Sequence, residues 1–73
     1  MTYDQIVSLL GYASDNELPV RIVTTDKNVV LGVPTAVDAD VVGHEVYLNP
    51  AGARETEIVV SLASIEAVEL VGT

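Results

Sequence analysis

The sequence has 73 residues, no cysteine, a net charge of −8 and three aromatic residues, all tyrosine. A chain of this length forms one domain, 1–73, and buries only about 60 % of its unfolded surface, so its stability is marginal. The lack of cysteine excludes disulfides and thiolate metal sites. The acidic charge disfavours nucleic acid and anionic membranes as partners. No segment is long enough to span a bilayer, and the first residues do not resemble a secretory signal, so we expect a cytoplasmic protein.

Residues 2–13 predict an amphipathic helix. Thr2 and Gln5 have the spacing of a capping box, in which each side chain accepts a hydrogen bond from the other residue's backbone N–H. Gly11 is expected to end the helix early, and Tyr12 lies off the apolar stripe. The stripe expected to face the core comprises Tyr3, Ile6, Val7, Leu10 and Ala13.

The hydrophobic period changes to two after residue 17, which indicates strands. In the first strand, Val20 and Ile22 share one face. A tight turn follows at 25–28, where Asn28 is expected to take the left-handed conformation. The first two strands are therefore predicted to form a hairpin.

The second predicted strand, Val29 to Val37, contains Gly32 and Pro34. Neither residue suits a flat central strand, because glycine marks bulges or bends and proline cannot donate to the ladder. We therefore expect this strand to bend strongly between two parts of the sheet.

The remaining strands are predicted at 45–49 and 56–62, with a loop at 38–44 and a turn at 50–55. After residue 62 the apolar spacing slips from two to three. One interpretation is a turn of 3₁₀ helix at 62–64 followed by a last strand. The alternative is a continuous helix over 62–70.

This order of helix, four strands, 3₁₀ turn and fifth strand resembles the Sm-like, SH3-type barrel family. Residues 19–38 resemble its Sm1 segment. Residues 57–71 resemble its Sm2 segment in the order of strand, turn and strand. The resemblance implies an α+β, mainly β, fold: an N-terminal helix followed by a five-stranded, strongly bent antiparallel barrel.

The resemblance also implies where the family's site for uridine-rich RNA would lie. Asp38 matches the aspartate of that site, but Glu45 stands in the place of its asparagine. Leu62-Ala63 stands in the place of its basic-glycine pair. Because an added carboxylate and a lost cation oppose RNA binding, only the architecture is carried over. In element order and charge alone, the chain is also similar to the Rho-binding antiterminator, an acidic protein that occupies the RNA-binding face of a basic partner.

The sequence contains candidate residues for two kinds of chemical site, a metal site and a catalytic site. Asp38, Asp40, His44 and Glu45 are candidate ligands for a divalent metal, although the ordinary interpretation is a solvated loop. Catalysis is not expected, because no serine stands in a nucleophile context beside the single histidine. The carboxylate pairs Glu55/Glu57 and Glu66/Glu69 are interpreted as solvated faces, and no cofactor is expected.

The fourth strand is predicted to be a weakly protected edge that invites pairing with another chain. The residues predicted to form a protein interface are Tyr47, Glu57, Val59 and Ser61. The expected function is a non-catalytic interaction module that self-associates as a homo-oligomer or offers an acidic surface to a basic protein. The alternatives are an Sm-like RNA-binding regulator with a different binding surface, and a metal-binding protein that uses 38–45.

Overall fold

The computed structural model describes residues 1–38, 44–50 and 56–71. The elements in these ranges are α1 (Tyr3–Asp15), β1 (Val20–Thr24), β2 (Val29–Asp38), β3 (Glu45–Pro50), β4 (Ile58–Ser61), the 3₁₀ helix η1 (Leu62–Ser64) and β5 (Ile65–Leu70). The strands form one antiparallel sheet in the order β4-β3-β2-β1-β5. The α+β, mainly β, architecture is confirmed. The sheet does not close, so β4 and β5 are its edges.

Helix α1 starts at the predicted capping box. The Thr2 hydroxyl accepts from the Gln5 N–H at 3.2 Å, and the Gln5 carboxamide accepts from the Thr2 N–H at 3.0 Å. The prediction that Gly11 ends the helix is wrong, because the helix continues to Asp15. A glycine inside a helix costs only about 1 kcal/mol, which the packing of this helix on the sheet outweighs.

The helix buries Ile6, Leu10 and Ala13 against the sheet. The prediction that Tyr3 belongs to the core is wrong, since this residue is 42 % exposed. Tyr3 lies in the first turn of α1, where the helix reaches the rim of the core. Tyr12 is exposed, as its position off the stripe predicts.

The hairpin between β1 and β2 has the predicted inward residues, with Val20 and Ile22 fully buried. In its turn, Lys27 and not Asn28 takes the left-handed conformation, with φ of 69°. The Lys27 N–H donates to the Thr24 carbonyl at 2.9 Å, and the Asn28 carbonyl accepts from the Thr24 N–H at 2.9 Å. This is a three-residue hairpin loop, in which the left-handed residue precedes the first residue of the returning ladder.

Strand β2 is irregular where the sequence predicts a bend. Gly32 pairs with Pro50, and Pro34 is buried opposite Leu48. The register then shifts between Pro34 and Ala36, which leaves Thr35 as an extra residue on the β2 side. A bulge of this kind bends and twists a strand, and the inner face of β2 thus continues over the core.

The apolar core lies between α1 and the inner face of the sheet. The 3₁₀ turn at 62–64 and the strand after it are confirmed, and the alternative of a helix over 62–70 is wrong. The slip in apolar spacing has two causes: η1 separates Leu62 from Ile65, and a register shift between β1 and β5 leaves Glu66 as an extra residue before Val68. The buried apolar residues are Ile6, Leu10, Ala13, Val20, Ile22, Val46, Leu48, Val60, Leu62, Ile65 and Val68.

Two glycine substitutions test the packing of β2. A Cβ at Gly32 would lie 2.7 Å from the Asn49 carbonyl oxygen, whereas a Cβ at Gly11 meets nothing within 4 Å. We expect Gly32→Ala to destabilise the fold by about 1–3 kcal/mol through overpacking. Gly11→Ala should stabilise it by about 0.5–1 kcal/mol through helix propensity. Urea unfolding of both variants measures the difference, and a neutral or stabilising Gly32→Ala would contradict this account of β2.

Candidate protein-interaction surface

The predicted interface residues lie on the side of the sheet that faces away from the core, here called the outer face. On β3 and β4, the buried residues Val46 and Val60 pair with each other, which places their neighbours outward. Tyr47 therefore lies opposite Val59 on the outer face. Ser61 lies opposite Glu45, the next outward residue of β3.

Carboxylates surround Tyr47 on this face. Glu45 pairs with Asp38 of β2 and with Ser61 of β4, so it lies between them across the sheet. The Tyr47 hydroxyl is 3.5 Å from Glu45 Oε1. We call the set of Asp38, Glu45, Tyr47, Glu57, Val59 and Ser61 the acidic face.

The electrostatic effect of the acidic face appears at Tyr47. The Glu45 carboxylate raises the pKa of the Tyr47 phenol above its ordinary value, because a second negative charge nearby disfavours the tyrosinate. Desolvation and the charges of Asp38 and Glu57 act in the same direction. Although Glu57 precedes β4, its carboxylate thus acts on the same phenol.

Apolar surface adjoins these carboxylates. Val59 is 46 % exposed beside Tyr47, and the exposed Ala36 lies opposite Tyr47 on its other side. A row of Ala36, Tyr47 and Val59 therefore crosses three strands on the outer face. Aromatic and apolar groups of this kind are typical of the centre of a protein interface.

The two described cations lie at the other end of the sheet. Arg21 forms an ion pair with Glu69 at 2.7 Å, and Lys27 forms one with Glu66 at 2.7 Å. Both ion pairs join the β1–β2 hairpin to β5. Glu66 and Glu69 therefore have cationic partners within the fold. The remaining basic residue, Arg54, lies outside the described residues.

The structure brings together two of the four predicted metal ligands. Asp38 and Glu45 are directly paired across β2 and β3. His44 precedes Glu45, but its Nδ1 lies 2.9 Å from the Tyr3 hydroxyl. Asp40 lies outside the described residues. Across 1–38, 44–50 and 56–71, no three His, Cys, Asp or Glu side chains are grouped as metal ligands would be.

Sequence reasoning missed the contact between Tyr3 and His44. Their rings are 6.0 Å apart, and the hydrogen bond joins the first turn of α1 to the residue before β3. His44 has a left-handed backbone, with φ of 54°. Residues 41 positions apart carry no local signal of contact, so only the three-dimensional structure shows this link.

Among the described residues, strand β4 presents outward hydrogen-bonding positions at the edge of the sheet. The Leu62 N–H donates to the His44 carbonyl at 2.8 Å, which fixes the phase of the ladder between β3 and β4. Because antiparallel ladders alternate, the backbone groups of Ile58 and Val60 also point towards β3. Those of Val59 and Ser61 point away from it. With β4 at the end of the strand order, they point out of the sheet.

A change of charge at Glu45 tests the geometry of the acidic face. Glu45→Gln removes the largest cause of the Tyr47 shift, so the Tyr47 pKa should fall towards its ordinary value. Residue-resolved NMR titration of the tyrosine ring carbon measures this pKa. Glu66→Gln is the control, because Glu66 pairs with Lys27 at the other end of the sheet. An equal response to both substitutions would contradict the placement of Tyr47 beside Glu45.

Among the described ranges, no helix is both long and apolar enough to cross a membrane. Comparison of the chain with protein-family models, curated proteins and solved structures finds no match.

Proposed function

We propose that this protein is a non-catalytic interaction module that presents its acidic face to a basic protein partner. One observation carries the proposal: Tyr47 lies on the outer face among three carboxylates near enough to raise its pKa. The exposed Val59 lies directly opposite Tyr47 on β4. The face thus combines an aromatic and apolar centre with negative charge around it.

This arrangement suits an arginine or lysine side chain of a partner. A phenol ring attracts a cation to its face, and the three carboxylates add charge complementarity and accelerate encounter. Tyrosine also supplies a large contact area with only two side-chain torsions to fix. The partner fitted by this chemistry is a basic protein segment, with a cation over Tyr47 and an aliphatic group against Val59.

The proposal assigns no catalytic role to the residues that the structure describes. The single histidine is engaged by the Tyr3 hydroxyl, which lies 2.9 Å from its Nδ1. A shallow depression on the sheet is lined by Arg21, Val23, Ala67, Val68 and Glu69. Two of those residues form an ion pair with each other, and the remaining three are apolar. In this lining the Glu69 carboxylate is engaged by Arg21, and Val23, Ala67 and Val68 supply no nucleophile.

We further propose that the fold is a small Sm-like or SH3-like barrel without the family's RNA site. The strand order and the position of η1 between β4 and β5 are compatible with that architecture. Leu62, in the place of the family's basic residue, is only 2 % exposed. Arg21 and Lys27, the cations of the described ranges, are held in ion pairs. These features favour a protein partner over the alternative of an RNA-binding regulator.

Self-association is a second candidate function, favoured by a different observation. Strand β4 ends the sheet, with the backbone groups of Val59 and Ser61 directed outwards. Unpaired edges of this kind recruit further strands. A small domain without disulfides also gains stability when it associates with a second subunit.

Charge-matched variants test the basic-partner proposal. Glu45→Gln with Glu57→Gln changes the net charge from −8 to −6, and so does the control Asp15→Asn with Glu17→Gln. We expect the first pair to weaken binding to a labelled lysine- and arginine-rich peptide about 10-fold, because both carboxylates lie around Tyr47. The control pair should change binding only slightly. Fluorescence anisotropy at low salt measures both, and equal losses would show that net charge alone, and not the acidic face, binds the peptide.

The two alternative functions have their own expected signatures. Salt-dependent binding of single-stranded RNA in a filter assay would favour the RNA-binding alternative over the proposal. A rise in melting temperature with a divalent metal, lost in Asp38→Asn with His44→Ala, would favour the metal-binding alternative. We expect neither result.

A further inference from the structure

We propose that two copies of this chain pair through β4, antiparallel, about a two-fold axis at Val59. The inference rests on the second candidate function, self-association, and adds its symmetry, its register and the residues in contact. It does not require that the acidic face bind a basic partner.

The hydrogen-bonding positions of β4 suit a two-fold pairing. Val59 and Ser61 direct their N–H and C=O groups out of the sheet. Extending the alternation by one step directs those of Glu57 out of the sheet as well. If Val59 pairs with Val59 of the second copy, Glu57 pairs with Ser61 of that copy, and Ser61 with Glu57. Each of these pairs exchanges both backbone hydrogen bonds, so all outward groups of the segment are satisfied.

The side chains are complementary in the same register. On the outer face, the exposed Val59 meets its symmetry mate, and each Glu57 meets a serine hydroxyl that can donate to the carboxylate. On the inner face, the half-buried Ile58 lies opposite Val60 of the second copy. The two Glu57 residues are offset by four positions along the strands, which places them about 14 Å apart. At this distance, salt largely screens their charges from each other.

Other registers satisfy fewer groups. A shift of two residues in one direction places Glu57 opposite Val59 and leaves Ser61 unpaired. The opposite shift places Val59 opposite Ser61 and moves Glu57 beyond β4 of the second copy, against η1. A shift of one residue would set outward side chains against inward ones. The register centred on Val59 is therefore the favoured one.

The second edge of the sheet is partly covered. The Val71 N–H donates to the Pro19 carbonyl at 3.1 Å, which sets the phase of the β1–β5 ladder and directs the Val68 N–H out of the sheet. The Met1 thioether accepts that N–H at 3.2 Å. A head-to-tail contact of β4 with β5 of another copy would have to displace Met1. Pairing of β4 with β4 leaves Met1 in place and gives a closed dimer.

Single-cysteine variants test the register, because the chain has no cysteine of its own. In the proposed dimer, the Cα atoms of the two Val59 residues are about 5.5 Å apart, within disulfide range. Val59→Cys should therefore form a covalent dimer on mild oxidation, at least 10-fold faster than Val29→Cys. Val29 is the matched control: its exposure is 48 % against 46 % for Val59, but it lies on β2 in the middle of the sheet.

A mixed experiment separates this register from any other contact near β4. Glu57→Cys alone and Ser61→Cys alone should cross-link slowly, whereas an equal mixture of the two should give the heterodimer. Cross-linking of Val59→Cys no faster than Val29→Cys would overturn the proposal. So would a mixture that gives no more heterodimer than each variant alone gives homodimer.

Sedimentation velocity distinguishes failure of the register from failure of self-association. Because each copy carries −8, salt that screens this repulsion should strengthen the dimer, whereas it weakens binding of a basic peptide. Val59→Lys should abolish the dimer, since an edge lysine blocks strand addition, and should leave the melting temperature of the dilute monomer unchanged, whereas Val29→Lys should not abolish the dimer. If the protein sediments as a dimer but fails the cross-linking test, the dimer uses another contact and the proposed register is wrong. If it sediments as a monomer at all salt concentrations, self-association is wrong as well.

Discussion

The close approach of Gly32 to the Asn49 carbonyl is the constraint on which the rest of the fold depends. Only a residue without Cβ fits there, because an added carbon would lie 2.7 Å from that oxygen. Together with Pro34 and the register shift that follows it, this approach bends β2 over the core. The inner face of the bent sheet then encloses the apolar stripe of α1.

The bend of β2 also separates the apolar core from the charged surface. The described core contains no buried polar or charged residue, so every described carboxylate is left on the surface. At the β1–β5 end, Glu66 and Glu69 pair with Lys27 and Arg21. On the acidic face, by contrast, the carboxylates gather around Tyr47 and alter its pKa. The proposed roles use this second region and the adjoining edge, where the sheet ends.

Local rules predicted most of the fold. The capping box, the inward residues of the strands and the 3₁₀ turn at 62–64 all depend on neighbours within a few positions. The errors concerned Tyr3, Gly11 and Asn28, whose states are set by tertiary packing or by competing hydrogen bonds. Residues two apart on a strand share a face, so the proximity of Tyr47 to Glu45 could be predicted from the sequence. The pairing of Asp38 with Glu45 and the contact of Tyr3 with His44 depend on sheet register and helix docking, which no local pattern encodes.

Amide hydrogen exchange at β4 tests the central claim most directly, which is that the bent sheet ends in a strand with one free edge. In dilute protein, the amides of Val59 and Ser61 should exchange rapidly, while Val60, which faces β3, is protected. At high protein concentration, Val59 and Ser61 should become protected as the edge is paired. Protection of both amides in dilute monomer, or rapid exchange of both at every concentration, would contradict the account.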